Sequence, residues 1–162
     1  MKISKGFTLI ELVIVIAILA ILAAFALPRF VNLTVQARQA TLQAVVGALN
    51  SASAITHAAC IATVGNGTTA ACTDTTASIQ LDGALVSLLH EYPDASITGI
   101  GNALQNNFVT SGTGSSVLVT YGGAGGPTKY QVGALTDCEV DYTAAPAAGS
   151  APLIAVVGNT CS

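Results

Sequence analysis

The sequence predicts an α+β protein in which one long amino-terminal helix is followed by a small antiparallel β-sheet. Two patterns predict it: apolar side chains recur at helical spacing over the first third of the chain, and short β-rich runs fill the last third. Of the 162 residues, 52% are apolar and 8% are charged, which fits one folded domain and argues against disorder. Five Lys and Arg residues cannot form a basic face, so no nucleic-acid partner is expected.

The longest apolar stretch, Phe7 to Leu27, has the length of a membrane span. About 20 residues at a rise of ~1.5 Å match a hydrocarbon core ~30 Å thick. Lys2 and Lys5 precede the stretch, which places the amino terminus in the cytoplasm and the rest of the chain outside. The protein is therefore expected to be exported while tethered to the membrane.

Two interpretations of this stretch compete. Residues 24–26 (AFA) fit a signal-peptidase site, and cleavage after Ala26 would release a secreted binding protein. In the other interpretation the helix is retained. Glu11 favours retention, because a carboxylate in an inserted apolar helix costs roughly 2.5–3.5 kcal/mol when centred and less near an end. A discarded signal has no use for such a charge.

Residues 6–11 (GFTLIE), at the head of the apolar run, resemble the amino-terminal signature of type IV pilins and pseudopilins. The resemblance implies that residues 1–6 are a leader, that a membrane-embedded prepilin peptidase cuts between Gly6 and Phe7, and that the new amino group of Phe7 is methylated. It further implies that residues 7–27 form the transmembrane and filament-core helix, and that residues 28–162 form the exported globular domain, which includes the amphipathic half of the helix.

The same resemblance assigns Glu11 a role in assembly. After cleavage, the Phe7 amine and the Glu11 carboxylate can pair within one chain, because they lie four positions apart on a helix. In a staggered filament Glu11 can instead neutralise the amine of an adjacent subunit, and the expense of an unpaired charge favours correct docking. The alternative is a solvated carboxylate at the membrane interface.

Pro28 lies inside the helical pattern, where proline removes one backbone hydrogen bond. In type IV pilins a proline at this place marks a helix kink. Residues 28–33 (PRFVNL), with Ala37–Arg38, are similar to pilins of the mannose-sensitive haemagglutinin (MSHA) type. Residues 92–95 (YPDA), followed by Gly99–Ile100, are also similar to that type.

One continuous helix is predicted from Phe7 to about Ala59, followed by a loop over Val64–Ala77. Its second half is amphipathic, with polar Gln36, Gln39, Gln43 and Asn50 between apolar Val31, Val35, Leu42, Val45, Val46, Leu49, Ala52 and Ile55. A short helix is predicted around Leu81, Leu85, Leu88 and Leu89 and ended by Pro93. Ser96–Gly114 is predicted mostly as loop. The predicted strands of an antiparallel meander are Ser116–Tyr121, Lys129–Val132, Cys138–Tyr142 and Leu153–Val157.

The four cysteines indicate two disulfides, because their number is even and the domain is exported. Three pairings are possible. The most local one joins Cys60 to Cys72 and Cys138 to Cys161, and the resemblance supports it, since a carboxy-terminal pair is typical of type IV pilins. A zinc site is disfavoured, because the sequence has no C-x-x-C spacing.

No enzyme is expected, and no cofactor or metal. His57 and His90 stand alone, with His90 beside Glu91 on the short predicted helix, and no nucleophile motif accompanies them. Residues 122–127 (GGAGGP) lack the lysine of a phosphate-binding loop. Asp137, Glu139 and Asp141 alternate along a predicted strand and could face one side; calcium binding is one interpretation, and a solvated strand face is the other.

The resemblance implies a structural subunit of a bacterial type IV pilus, most like an MSHA pilin, which polymerises through its amino-terminal helix into a surface filament for attachment. Its partners would be other copies of itself, the prepilin peptidase and the assembly machinery of the inner membrane. It would span the inner membrane once before assembly and lie in the extracellular pilus afterwards. The alternative is a pseudopilin of a type II secretion system, which shares the same signature.

Overall fold

A computed structural model describes residues 6–65, 72, 77–105, 117–120, 126–132, 135 and 137–161. The chain divides into two compact units, with the division between Ala37 and Arg38. Helix α1 spans Leu9–Gly65 and thus contributes to both units. The predicted helix is confirmed, but it begins at Leu9 and not at Phe7. It continues beyond the predicted end at Ala59, so Val64 and Gly65 are helical and not part of the predicted loop. Most of the remaining loop prediction falls outside the described residues.

In the first unit, α1 is apolar on all sides and its large side chains are exposed. Leu9 is 80% exposed and Phe25 is 76% exposed, and no residue in the most apolar part of the helix is buried within the chain. A helix that is apolar all round is typical of a membrane span or of the centre of an assembly. By length and composition, α1 could cross a membrane.

Pro28 lies within α1, and the helix continues on both sides of it. Proline at the first turn of a helix is well tolerated, but here it falls about five turns from the start, where it lacks an N–H group for the backbone ladder. The kink predicted at this position remains a prediction.

In the second unit, α1 buries one face. Its buried side chains recur every three or four residues, as expected of an amphipathic helix: Leu42, Val45, Leu49, Ala52, Ser53, Thr56 and Cys60. The predicted apolar face was wrong for Ile55, which is 58% exposed. Its neighbour Thr56 is buried instead, and its hydroxyl donates to the carbonyl oxygen of Ala52 at 2.8 Å.

The short helix predicted around Leu81–Leu89 is wrong. This region forms a three-stranded antiparallel sheet of β1 (Ser78–Leu81), β2 (Ala84–Leu89) and β3 (Tyr92–Pro93). Asp82 and Gly83 connect β1 to β2 with φ values of 49° and 84°, the left-handed conformation that a two-residue hairpin turn requires. His90 and Glu91, predicted on the same helix, form the second turn with φ values of 51° and 73°.

A π-helical turn, Ile97–Gly101, follows β3 in the stretch predicted mostly as loop. The Ser96 hydroxyl accepts a hydrogen bond from the Gly99 N–H at 3.0 Å and donates to the Asp94 carboxylate. A side chain at Gly99 would overlap the carboxylate and carbonyl oxygens of Asp94, so this close approach requires glycine. Residues 106–114 of the predicted loop lie outside the described residues.

The predicted meander is confirmed. Strands β4 (Val117–Thr120), β5 (Thr128–Val132), β6 (Cys138–Thr143) and β7 (Leu153–Asn159) form one antiparallel sheet in the order β4-β5-β6-β7. Ser116 and Tyr121, at the ends of the first predicted run, lie outside the described residues. The buried Tyr142 hydroxyl donates to the Pro93 carbonyl oxygen at 2.7 Å and thus connects this sheet to β3. The predicted α+β fold is confirmed: a long amino-terminal helix and small antiparallel sheets, an architecture consistent with the type IV pilin fold that the resemblance implies.

Candidate assembly site at the amino-terminal helix

Thr8 and Glu11 form a reciprocal cap at the start of α1. The Thr8 N–H donates to Glu11 Oε2 at 2.9 Å, and the Thr8 hydroxyl donates to the same oxygen at 2.7 Å. The Glu11 N–H lies 3.3 Å from the Thr8 hydroxyl oxygen, which accepts from it. This is a capping box, in which the threonine and the glutamate three residues later satisfy backbone donors that the first helical turn leaves unpaired.

The capping box places a negative charge where the helix dipole favours it. Both bonds to the carboxylate reach Oε2, and none of the described residues donates to Oε1. Glu11 therefore has a stabilising role within its own chain and still presents one carboxylate oxygen for a further donor. Sequence analysis missed Thr8 as its partner, although a threonine three positions before a glutamate at a helix start is a known signal.

Gly6 and Phe7 precede the helix as exposed chain. Phe7 is 84% exposed. A side chain at Gly6 would meet no atom within 4 Å, so the fold itself places no demand for glycine there. A glycine that the fold does not need fits a position that another protein recognises.

Two disulfides lie in the second unit. Cys60 at the end of α1 is joined to Cys72, with a Cα–Cα distance of 5.7 Å, and both pack against Ala77, Val86 and Leu88. The other disulfide joins Cys138, at the start of β6, to Cys161, with a Cα–Cα distance of 4.6 Å. These are the most local pairs among the three possible pairings.

Arg38 connects the carboxy-terminal disulfide to α1. Its guanidinium Nη1 donates to the Cys161 carbonyl oxygen at 2.8 Å. This contact bridges residues that are 123 positions apart in the chain. Sequence analysis did not assign Arg38 a role, because only the folded chain brings the two residues together.

The two histidines have structural contacts. The His57 ring stacks on Tyr92 with centroids 4.2 Å apart, and its Nδ1 lies 3.4 Å from the Glu91 carbonyl oxygen. His90 Nδ1 lies 3.0 Å from the Ala145 carbonyl oxygen. His57 Nδ1 also lies 3.9 Å from Glu91 Oε2. The other contacts are to an aromatic face and to backbone carbonyls, which is the pattern of histidines that support a fold.

The three acidic residues predicted to alternate on one strand separate into two groups. Asp137 precedes β6 and accepts a hydrogen bond from the Thr160 hydroxyl at 2.6 Å. Glu139 and Asp141 lie in β6 beside Lys129 of β5, whose Nζ is 2.7 Å and 3.7 Å from their carboxylate oxygens. Lys129, Glu139 and Asp141 therefore form an ion cluster on this strand face, in which the cation is a lysine side chain.

The ion cluster shifts the pKa values of its members in different directions. Burial raises the pKa of Glu139, but hydrogen bonds from Lys129 and Gln131 more than offset it and leave the pKa below its usual value. Burial raises the pKa of Asp141 above its usual value despite the nearby Lys129. The hydrogen bond to Glu139 raises the pKa of Lys129. Lys129 thus stabilises Glu139 as an anion more effectively than Asp141.

Comparison with known proteins agrees with this amino-terminal site. Residues 1–27 match the family described as the prokaryotic N-terminal methylation motif. Over 52 residues the chain is 62% identical to the type IV narrow pilus major component PilA5 of Thermus thermophilus, a match that covers 32% of this chain and 45% of that protein. Over 53 residues it is 47% identical to a fimbrial protein of Pseudomonas aeruginosa, covering 33% of this chain and 34% of that protein.

The chain thus matches less than half the length of these curated relatives. No solved structure matches it significantly. The methylation motif and the pilin relatives support the type IV pilin family.

Proposed function

We propose that this protein is a structural subunit of a bacterial type IV pilus of the MSHA type and not an enzyme. The observation that carries the proposal is the exposed apolar first part of α1, headed by the Thr8–Glu11 cap. Exposed apolar surface of this extent needs lipid or other protein around it. The lipid would surround the helix while it spans the membrane before assembly. Other subunits would surround it afterwards, in the core of the filament.

Processing would occur between Gly6 and Phe7, and the new Phe7 amine would be methylated. The exposed, unconstrained position of Gly6 supports access by a prepilin peptidase. Removal of residues 1–6 also removes Lys2 and Lys5, the charges that hold the amino terminus in the cytoplasm. Residues 7–27 would then be free to leave the membrane, while residues 28–162 carry the exported domain.

Assembly would depend on Glu11. Its Oε1 accepts no bond from the described part of the chain, and the methylated Phe7 amine of a neighbouring copy is a suitable donor for it. Contacts between unlike surfaces of identical copies do not close on themselves, so they extend into a filament. The proposed partners are therefore further copies, the peptidase and the assembly machinery of the inner membrane, with the finished pilus outside the cell serving attachment.

A pseudopilin of a type II secretion system is the second candidate, because it would use the same amino-terminal site. The names of the relatives, a pilus component and a fimbrial protein, favour the pilus. The MSHA assignment rests on the similarity of residues 28–33 and 92–95 to that type. A filament of this protein outside cells at its natural expression level supports the pilus, and its confinement to the cell envelope supports the pseudopilus.

The intact mass and amino-terminal sequence of the surface protein, measured with and without reductant, test the processing. We expect a chain that begins at methylated Phe7 and gains four hydrogens on reduction of its two disulfides. A chain that begins at Leu27 would identify the helix as a discarded signal. In that case the filament proposal would fail, and a secreted binding protein would replace it.

A further inference from the structure

We propose that Arg29 is a second counter-charge for Glu11, supplied by another copy of the chain that is displaced along the helix axis by about 27 Å. The inference rests on the proposed function, because it requires copies to assemble through α1. It assigns a partner to a charged residue that the Glu11–amine pairing does not use.

Arg29 finds no counter-charge within the described part of its own chain. Between residues 6 and 37 the charged side chains are Glu11 and Arg29 alone. Arg29 is exposed, and none of the described residues forms a hydrogen bond or ion pair with it. At ~1.5 Å per residue the two lie about 27 Å apart along α1, far beyond the reach of their side chains. A contact between them can therefore form only between copies.

The two charges lie on the same side of the helix. Arg29 follows Glu11 by 18 positions, which is about five full turns at 3.6 residues per turn. When parallel copies pack around a common axis with this side inward, carboxylates and guanidinium groups both point toward the axis. A shift of about 27 Å then brings Arg29 of one copy level with Glu11 of another.

Glu11 can accept this second donor. Thr8 occupies Oε2, and Oε1 accepts no bond from the described residues. A carboxylate offers about four lone-pair sites, so it can accept from a Phe7 amine and from a guanidinium together. A cleaved chain would carry two cations and one anion in this region, so an Arg29 kept out of the pairing would be buried uncompensated, which is strongly unfavourable.

The surface beside Arg29 has room for such a contact. A groove of about 420 Å³ is lined by Arg29, Asn32, Leu33 and Gln36. Its lining residues follow Arg29 by three, four and seven positions, so they share its side of the helix. The amides of Asn32 and Gln36 are available to hydrogen-bond a neighbouring carboxylate whose other oxygen binds the guanidinium.

Zero-length cross-linking of assembled filaments tests the pairing directly. In filaments of the Arg29→Lys variant, a membrane-permeant carbodiimide would activate the Glu11 carboxyl, and attack by the Nζ of the introduced lysine would form an amide while the reagent leaves as a urea. We expect mass spectrometry to find a peptide that joins Glu11 of one copy to the substituted position of another. The matched control is the Arg29→Gln/Phe30→Lys variant, whose amine is rotated by about 100°, and it should give at least about tenfold less product per assembled subunit.

Filament yield provides a second, independent measurement. The Arg29→Gln variant should form at least about tenfold fewer filaments, because it removes a charge-assisted hydrogen bond to the Glu11 carboxylate, which still keeps its Phe7 amine partner. The Arg29→Phe/Phe30→Arg exchange keeps composition, charge and depth but moves the guanidinium off the shared side, so it should fail similarly. Phe30→Ala alone is the control for loss of the aromatic ring and should assemble.

The outcomes distinguish failure of the Arg29–Glu11 pairing from failure of the proposed pilin function. Wild-type protein that is processed at Phe7 but forms no filament contradicts the proposed function. Filaments that form normally from Arg29→Gln or from the exchange variant, or Arg29→Lys filaments that yield no cross-link to Glu11, overturn the pairing and leave the pilin function intact. Rescue by Arg29→Lys but not by the exchange variant would support pairing over simple anchoring at the membrane surface.

Discussion

Similar apolar residues are exposed in the first half of α1 and buried in its second half. In the first half, Leu9 is 80% exposed, whereas in the second half Leu49 is wholly buried. Both halves belong to one continuous helix, so secondary structure does not distinguish them. What differs is the partner: the second half packs on its own chain, and the first half finds none among the described residues. The second half therefore contributes to the globular fold, and the proposed function uses the exposed first half for assembly.

Removal of the charge at Glu11 should have the largest effect on assembly and no effect on the globular domain. Glu11→Ala deletes the one acidic group of the first half, and loss of a buried ionic partner is worth roughly 3–5 kcal/mol. We expect at least about hundredfold fewer filaments by electron microscopy of sheared cells. Insertion into the membrane and thermal unfolding of the globular domain in detergent should stay unchanged. Normal filaments from this variant would contradict the assembly role of Glu11.

Loss of the carboxy-terminal disulfide should destabilise the globular domain and leave the first half of α1 unaffected. Loss of the loop closure between Cys138 and Cys161 in a double serine variant should lower the free energy of unfolding by about 3.5 kcal/mol. Circular dichroism of the full-length protein in detergent would measure it against the wild type. The Arg38 contact with the Cys161 carbonyl would be weakened as well. An unchanged melting temperature would show that the disulfide adds nothing to packing already present.

Sequence patterns predicted the helix and the four-stranded meander because each pattern is local. They failed between Leu81 and Pro93, where leucines at helical spacing outweighed Asp82–Gly83, a dipeptide that favours a two-residue hairpin turn. Burial decided the outcome: Val86 and Leu88, two apart, are both buried, so the apolar residues alternate as in a strand. The two-residue period of a strand was present in the sequence, but four leucines at helical spacing concealed it.

The candidate site was predictable only in part. Gly6, Phe7 and Glu11 form a contiguous motif, and the motif alone identifies them. The role of Thr8 as a cap required the start of the helix to be known. The Lys129–Glu139 pair depends on strand register, which places Gln131 directly opposite Glu139. Contacts between neighbouring strands depend on their register, which cannot be deduced from the spacing of residues within either strand alone.

Two glycines of the second unit allow a smaller test, which compares a tightly packed position with an open one. Gly99→Ala introduces a methyl group against Asp94 in the globular domain, and overpacking of this kind should cost about 1–3 kcal/mol of stability. Gly47→Ala meets no atom within 4 Å on an exposed part of α1, so it should stabilise the helix by roughly 0.5–1 kcal/mol. Thermal unfolding of both variants would measure the opposite shifts. Equal effects would show that the two sites do not differ in packing.

The smallest effect is expected at Asp141, within the ion cluster of the sheet. Burial raises the pKa of this carboxyl, so the folded protein binds its proton more tightly than the unfolded chain does. Ionised Asp141 therefore opposes folding at pH 7, and the opposition disappears as the pH falls below the folded pKa. Asp141→Asn should gain less than about 1 kcal/mol at pH 7, since the group is partly solvated, and nothing near pH 3. Glu139→Gln is the matched control and should lose stability at pH 7, because Glu139 has a lowered pKa and stabilises the fold as an anion. A loss from both substitutions would show that Lys129 compensates Asp141 fully.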